Sequence, residues 1–384
     1  MSFLSEYQRY VEHVNTDPLW KTWCGISCLS AAVGRKVWIS LEGRETFGNF
    51  FVLLVGTPGD GKDTAMNPTI DLLSHIPSVY FSSHDSNAAV LVQEASEAVV
   101  SWTNDRGLAQ TYNTLFVCTP EFKTILPEYE AKLIAILTQL YDCKPYRKST
   151  IGRGKEELGE SYINILAATH PAYLQETIPE SAWNEGFMSR MILVYGEGMP
   201  PRPLSQEDPP VTSQNAVINK LKVCAARKGR VMFDKDALLF LNDWQHKKMP
   251  PRPTHPRLVF YNKRRMMHVL KLSLLLAVDR EAKMIEEEDA AQAVALLTQT
   301  EDRLPKLFQA MKTSKDVQIM AEAVYFVREG YRNAGKPVTQ QSLTAFLLEK
   351  TEMKQIPTII NGMVQAGALK REGNGYVPGK MKAE

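Results

Sequence analysis

Residues 49–62 read NFFVLLVGTPGDGK, an unbroken apolar run that ends in a glycine-rich loop and a lysine. Few local patterns narrow the choice of fold as far. A continuous apolar run of this length predicts a strand buried on both faces, as in a parallel sheet covered by helices. Gly56-Thr57-Pro58-Gly59-Asp60-Gly61-Lys62 has the spacing GxxxxGK, and Thr64 to Leu73 reads as the helix that follows. In that context glycines let the backbone wrap tightly, so that its N–H groups face phosphate oxygens. The helix N-terminus adds a favourable dipole, and Lys62 neutralises the terminal phosphates. The plain alternative is a glycine-rich turn beside a surface lysine.

The surrounding pattern alternates strands and helices. Val79–Phe81, Leu115–Cys118, Ile163–Ala168 and Met191–Tyr195 read as further strands, and Ala88–Val99 as a helix. This predicts an α/β core with a parallel sheet. Helical periodicity covers residues 4–36, broken at Asp17-Pro18 and ended by Gly34. Residues 199–212 are rich in proline and polar groups and read as a linker; residues 213–310 read as helical. The expected division is an N-terminal helical segment (1–45), a nucleotide-binding core (46–200), a helical lid (201–312) and a small C-terminal domain (313–384).

Composition excludes several classes. Of the 384 residues 44% are hydrophobic, enough for a sizeable core, and the formal net charge of +2 announces no polyanionic partner. Any basic surface has to be local. Of the five cysteines only Cys24 and Cys28 are close, and no second pair follows to complete a zinc site. A reduced, cytoplasmic protein is expected. The N-terminus has no signal-peptide pattern, and runs such as Leu272–Val278 are too short to cross a bilayer, so no membrane partner is expected.

Other residues extend the phosphate-site reading. The position after the lysine normally carries a hydroxyl that ligates Mg²⁺; here it is Asp63, followed by Thr64. Asp63 can ligate the metal, or it can repel the phosphates and leave the role to Thr64. Glu121, just past the third strand, is placed to hold Mg²⁺ and polarise an attacking water; the alternative is a solvated glutamate opening a helix. Thr169 and His170 end the fourth strand, where a polar side chain either contacts the γ-phosphate or caps the strand end. Arg190 precedes the fifth strand, a place from which an arginine can reach a neighbouring subunit's nucleotide, or simply sit on the surface. Arg264 and Arg265 open a long apolar helix, from which one of them can reach a nucleotide from the lid. Lys144, Arg147, Lys148, Arg153 and Lys155 concentrate positive charge on an expected hairpin. That hairpin either tracks a phosphate backbone or is a solvated element balanced by Glu156, Glu157 and Glu160.

The C-terminal residues look like a winged helix. Val317–Tyr331, a helix from Val338-Thr339 and Lys354–Ala366 precede an alternating hairpin over Leu369–Val377. DNA and protein are both open as its target.

Taken in order, the Phe3–Val37 segment, the glycine-rich loop, the Leu140-Tyr141-Asp142 turn with its basic hairpin, Ala168-Thr169-His170-Pro171 and Gly186-Phe187-Met188-Ser189-Arg190 resemble the primase-helicase-like ATPases of phages and mobile elements. The likeness covers about residues 3–300. The segment after Asn262 is similar to the lid of MCM-type AAA+ helicases. The resemblance implies a P-loop NTPase of AAA+-like fold that assembles into a ring, a hexamer, with ATP and Mg²⁺ between subunits. It implies that Lys62 binds phosphate, Glu121 is the acid, Thr169 or His170 is the sensor, Arg190 the finger and Arg264 or Arg265 the lid sensor. The hairpin would contact single-stranded or forked DNA, and priming would fall to a separate primase or polymerase. The function implied is an ATP-dependent DNA helicase or translocase of phage or mobile-element replication. A helicase loader or initiator that does not unwind, and a nucleotide-sensing scaffold that does not hydrolyse, are the alternatives. Asp63 and Pro120-Glu121 depart from the family pattern and bear on turnover.

Overall fold

Helix α1 (Phe3–Tyr10) starts where the Ser2 hydroxyl accepts the Ser5 N–H, and α2 (Pro18–Val33) where the Asp17 carboxylate accepts the Leu19 N–H at 2.8 Å. Pro18 fits the first turn because its missing N–H has no partner to lose there. The computed structural model describes residues 2–83, 88–104, 106–126, 130–150, 154–184, 186–200 and 212–379. Helix α2 is buried on nearly every face, with Trp20, Trp23, Cys24 and Cys28 fully enclosed.

A hairpin of β1 (Val37–Leu41) and β2 (Arg44–Phe47) follows. Its two turn residues, Glu42 and Gly43, both have positive φ, the turn whose twist matches a two-residue hairpin. The core then runs β3 (Phe51–Val55), α3 (Lys62–Leu73), α4 (Ala88–Glu97), β4 (Val99–Thr103), β5 (Ala109–Thr119) and α5 (Ala131–Tyr141). Next come β6 (Tyr146–Thr150), β7 (Gly154–Leu158), β8 (Ser161–Thr169), α6 (Pro171–Thr177), α7 (Glu180–Asn184) and β9 (Met191–Tyr195).

The main sheet has the order β4-β5-β8-β3-β9. Strands β5, β8, β3 and β9 are parallel, with Phe51 level with both Ile165 and Met191, and Val55 level with Thr169 and Tyr195. Every residue of β3 is fully buried, as its unbroken apolar run requires. The expectation of an all-parallel sheet is corrected at one edge. Strand β4 pairs antiparallel with the first half of β5, so the α/β core carries a mixed sheet. That half of β5 runs past the start of β8, where the antiparallel hairpin partner β4 satisfies its backbone. The strand expected at Val79–Phe81 reduces to a single bridge between Phe81 and Phe116.

Helical structure dominates beyond the sheet: α8 (Gln214–Ala226), then the short strands β10 (Gly229–Arg230) and β11 (Met232–Phe233), then α9 (Lys235–His246), α10 (Val259–Asp279), β12 (Met284–Ile285) and α11 (Glu287–Glu301). Residues 201–211 of the expected linker lie outside the described residues.

The chain divides into two compact units, Met1–Leu307 and Phe308–Glu384. The second takes most of α12 (Leu304–Ala334), with β13 (Val338–Thr339), α13 (Gln340–Leu348), α14 (Ile356–Gln365), β14 (Leu369–Glu372) and β15 (Gly375–Pro378). The Thr339 hydroxyl caps α13 by accepting the Ser342 N–H at 3.1 Å, and Pro357 sits in the first turn of α14. Its three strands pair antiparallel in the order β13-β15-β14, over a core that includes Leu343, Leu347, Ile359, Met363 and Tyr376. Among the described residues no helix is long and apolar enough to cross a membrane.

Candidate functional site

Strand β3 ends at Val55, and the Gly56 N–H donates to the Thr169 carbonyl at 3.3 Å, which ties the loop to the end of β8. Gly56 has no room for a side chain, because a Cβ there would lie 2.6 Å from the Trp20 indole. Trp20 thus floors the loop, with its Nε1 donating to the Val194 carbonyl at 3.0 Å. Gly59 (φ +90°) and Gly61 (φ +80°) occupy the left-handed region that other residues enter only with strain. A Cβ at Gly59 would meet no atom within 4 Å, so the backbone there borders open space. Asp60 folds back on the loop, its carboxylate accepting the Thr57 N–H at 2.8 Å and the Thr57 hydroxyl.

Lys62 is the first residue of α3 and only 9% exposed. Its Nζ donates to the carbonyls of Gly56 at 2.9 Å and Thr57 at 2.6 Å, within its own loop. Burial lowers its pKa below the usual lysine value, while Asp60 and Asp63 act in the opposite direction. Asp63 is exposed and faces a cavity of about 560 Å³ together with Gly59 and Lys62. Thr64, one helical position further, is exposed but does not line that cavity. The two metal-ligand candidates are thereby separated: the structure brings Asp63 to the cavity and leaves Thr64 outside it.

Three of the other expected residues converge on the same cavity. Because β8 lies between β3 and β5, the ends of the three strands present Lys62, then Thr169 and His170, then Glu121. The Thr119 hydroxyl bonds the Glu121 backbone and fixes the turn after β5, while Glu121 itself is exposed. His170 caps α6, its Nδ1 accepting the Tyr173 N–H at 3.2 Å. What His170 caps is the following helix rather than the strand end, and the residue lines the cavity as well. Partial burial holds its pKa below the usual histidine value, against a smaller opposite effect of Glu176, so the ring is neutral at pH 7. Among the described residues no cluster of three or more His, Cys, Asp or Glu is arranged to hold a metal ion unaided.

The expected arginines are elsewhere. Strand β9 runs parallel to β3, and Arg190 precedes it, level with Phe50. Six residue steps along the strand, about 20 Å, separate that level from Gly56. Arg190 is 5% exposed; it donates to the Gly186 carbonyl at 2.8 Å and pairs with Asp142 at 2.8 Å. The surface alternative is corrected by this burial, and Arg190 does not line the cavity that Lys62 faces. Arg264 sits beside it, donating to the Ser189 hydroxyl at 3.0 Å. The lid-sensor expectation for Arg265 is corrected outright. Arg265 is fully buried and clamps Glu301 through two bonds of 2.8 and 2.7 Å, and it also donates to the Pro251 carbonyl at 2.8 Å. No vector remains for it toward a nucleotide.

Sequence reasoning missed what surrounds those arginines. Lys271 on α10 is buried; its Nζ donates to the Asn49 carbonyl at 3.1 Å and side chain at 2.8 Å, and lies 3.8 Å from the Tyr141 ring centre. Burial pushes its pKa down to about 8. His268, one turn before it, is pushed down to about 3 by burial, so it is neutral between Tyr141 and the Ser189 carbonyl. The only local mark is that His268, Lys271 and Ser273 are polar interruptions in the apolar stretch 266–278 of that helix.

Of the basic hairpin, Lys144 lines a second cavity of about 480 Å³ with Arg44, Asp142, Arg264 and Lys271. Strands β6 and β7 pair antiparallel, setting Arg147 opposite Glu157 and Lys148 opposite Glu156 in the register. The register leaves both expectations for the hairpin standing, because the side chains at 148–157 lie outside the described residues. Arg153 and the side chains of Lys148 and Lys155 lie outside the described residues. No protein-family model matches the chain, and no curated protein is significantly similar to it.

Proposed function

We propose that the chain is a P-loop ATPase that works on DNA as a ring-forming helicase or translocase. The observation that carries this reading is the convergence of Lys62, Asp63, Glu121, Thr169 and His170 on one cavity at the ends of three adjacent parallel strands. Ligands of open α/β sheets bind in that position. The open space at Gly59 and the α3 N-terminus suit a phosphate chain. Lys62 would exchange its two loop carbonyls for phosphate oxygens. Asp63, rather than Thr64, would ligate Mg²⁺, which is usually held by one or two carboxylates together with phosphates. Glu121 would orient and deprotonate the attacking water, and Thr169 or His170 would hold it or the γ-phosphate.

The position of Arg190 and Arg264 at the opposite end of the sheet favours a ring. From there they can serve only a nucleotide bound by a neighbouring subunit, and Asp142 must first release Arg190. In this reading α8–α11 form the lid and the C-terminal unit is a winged helix. Single-stranded or forked DNA is the partner, a separate primase or polymerase supplies synthesis, and the cytoplasm is the site of action.

A second reading has its own observation. Asp60 braces the loop while Lys62 is held by loop carbonyls, an arrangement that favours a nucleotide sensor that does not turn over. One assay separates the readings: ATP hydrolysis with Mg²⁺, alone and with forked DNA, alongside strand separation. DNA-stimulated hydrolysis with unwinding is expected. Hydrolysis without unwinding would move the assignment to a loader, and tight ATP binding without hydrolysis to a sensor.

A further inference from the structure

A cleft of about 510 Å³ lies between two small walls at the edge of the main sheet. One wall is the sheet β10-β1-β2, the other the hairpin β4–β5. Residues directly opposite in paired strands share a face. Arg230, Trp38 and Phe47 are consecutive partners across the first wall, so they form one row. Trp102 with Gln110 forms a row on the second wall, and Tyr112 lies two residues further along the same face. All six residues line the cleft, so the two rows face each other.

The walls are fixed. Lys228 reaches from beside β10 to donate to the Thr103 carbonyl at 3.0 Å. Arg35 lies 4.0 Å over the Phe47 ring, donates to the Cys143 carbonyl at 2.9 Å and pairs with Glu160. The two indoles pack on one side against the Phe47 and Tyr112 cluster and are otherwise half-open. The other four tryptophans of the chain, Trp20, Trp23, Trp183 and Trp244, are all buried. Two half-open indoles on facing walls, with Arg106 and Arg230 exposed at the rim, make a stacking platform beside positive charge. Aromatic faces with neighbouring guanidinium groups are the chemistry that holds unpaired bases without strict sequence preference.

We propose that this cleft binds a nucleobase, stacked on Trp38 or Trp102, with its phosphate at Arg106 and Arg230. Glu45 and Gln110 supply polar partners for the base edge. The base belongs to a single strand or to a free mononucleotide, which offer the same chemistry. The inference stands on the cleft alone and does not need the loop at Lys62 to bind ATP.

The test follows tryptophan fluorescence of the full chain carrying Lys62→Ala, which separates this cleft from the loop. The titrants are a deoxythymidine 12-mer and deoxythymidine monophosphate. Because the other four indoles are buried, saturable quenching reports on Trp38 and Trp102. Quenching by the 12-mer alone assigns a single strand, and equal quenching by both assigns the mononucleotide. Trp102→Ala should weaken binding about tenfold or more, and Trp102→Phe should keep most of it. Arg230→Glu should weaken binding and flatten its salt dependence. The proposal is overturned if neither titrant quenches. It is equally overturned if folded Trp102→Ala and Arg230→Glu proteins bind the 12-mer as tightly as their parent.

Discussion

The two ends of the central sheet carry similar residue types and use them in opposite ways. At the C-terminal ends of β3, β8 and β5, the side chains of Asp63 and Glu121 are exposed around an open cavity, while Lys62 is buried, hydrogen-bonded to carbonyls of its own loop and near the Trp20 ring. At the N-terminal ends, Arg190, His268 and Lys271 are buried and partnered, as is Arg265 further back on the same helix α10. The difference teaches what each end is for. A carboxylate left exposed beside a cavity can change partners at little cost. A charge that is desolvated and paired holds elements together, and releasing it costs several kcal/mol. Arg190 stands between these cases, because its Asp142 partner is only partly buried.

The largest expected effect is at the buried end. Arg265→Ala leaves Glu301 desolvated and should cost about 3–5 kcal/mol of stability, read from chemical denaturation. The double substitution Arg265→Met with Glu301→Leu should recover most of that loss. A single mutant as stable as its parent would contradict the clamp.

Arg190→Ala tests the intermediate case. A finger acting in trans contributes about a thousandfold or more to turnover, so hydrolysis should fall by that order while ATP binding persists. Mixing this variant with Lys62→Ala should restore part of the activity, because a mixed ring contains interfaces with both residues intact. No recovery on mixing would confine Arg190 to its structural pairing.

Lys271 gives a pH signature. Its folded pKa of about 8 lies below the unfolded lysine value. Between those values the unfolded chain binds the extra proton, so stability rises with pH across that window. Below about pH 8 the burial penalty is fully present. Denaturation midpoints at pH 7.5 and 10 should therefore converge on those of Lys271→Met as pH rises. A pH-independent difference between the two proteins would mean that burial does not perturb the amine.

The smallest effect on stability is at the open end. His170→Asn preserves the cap on α6, so stability should change by less than about 0.5 kcal/mol, while turnover should fall. Unchanged turnover in that variant would leave Thr169 as the sole contact from this strand end.

Much of the open end was legible in the sequence because its determinants are local. An apolar run, a glycine loop and a helix start are contiguous, and Glu121, Thr169 and His170 follow directly from where strands end. The buried end was not legible in the same way. Arg265 and Glu301 are 36 residues apart, and neighbouring helical positions point in different directions, so Arg264 and Arg265 could not be told apart. The hairpin β1–β2 did have a signal, the Glu42-Gly43 pair between WISL and RETF. The hairpin β4–β5 had a weaker one at Asn104–Gly107, because its outer residues are polar and exposed and carry no buried-strand pattern.

The central claim is that the cavity at Lys62 is a nucleotide site, and equilibrium titration with Mg²⁺ and ATP tests it most directly. Wild-type protein should bind saturably, and Lys62→Ala, which removes the loop's own ammonium from the cavity, should bind at least about tenfold more weakly at unchanged stability. Absence of binding, or equal binding by the two proteins, would contradict the account.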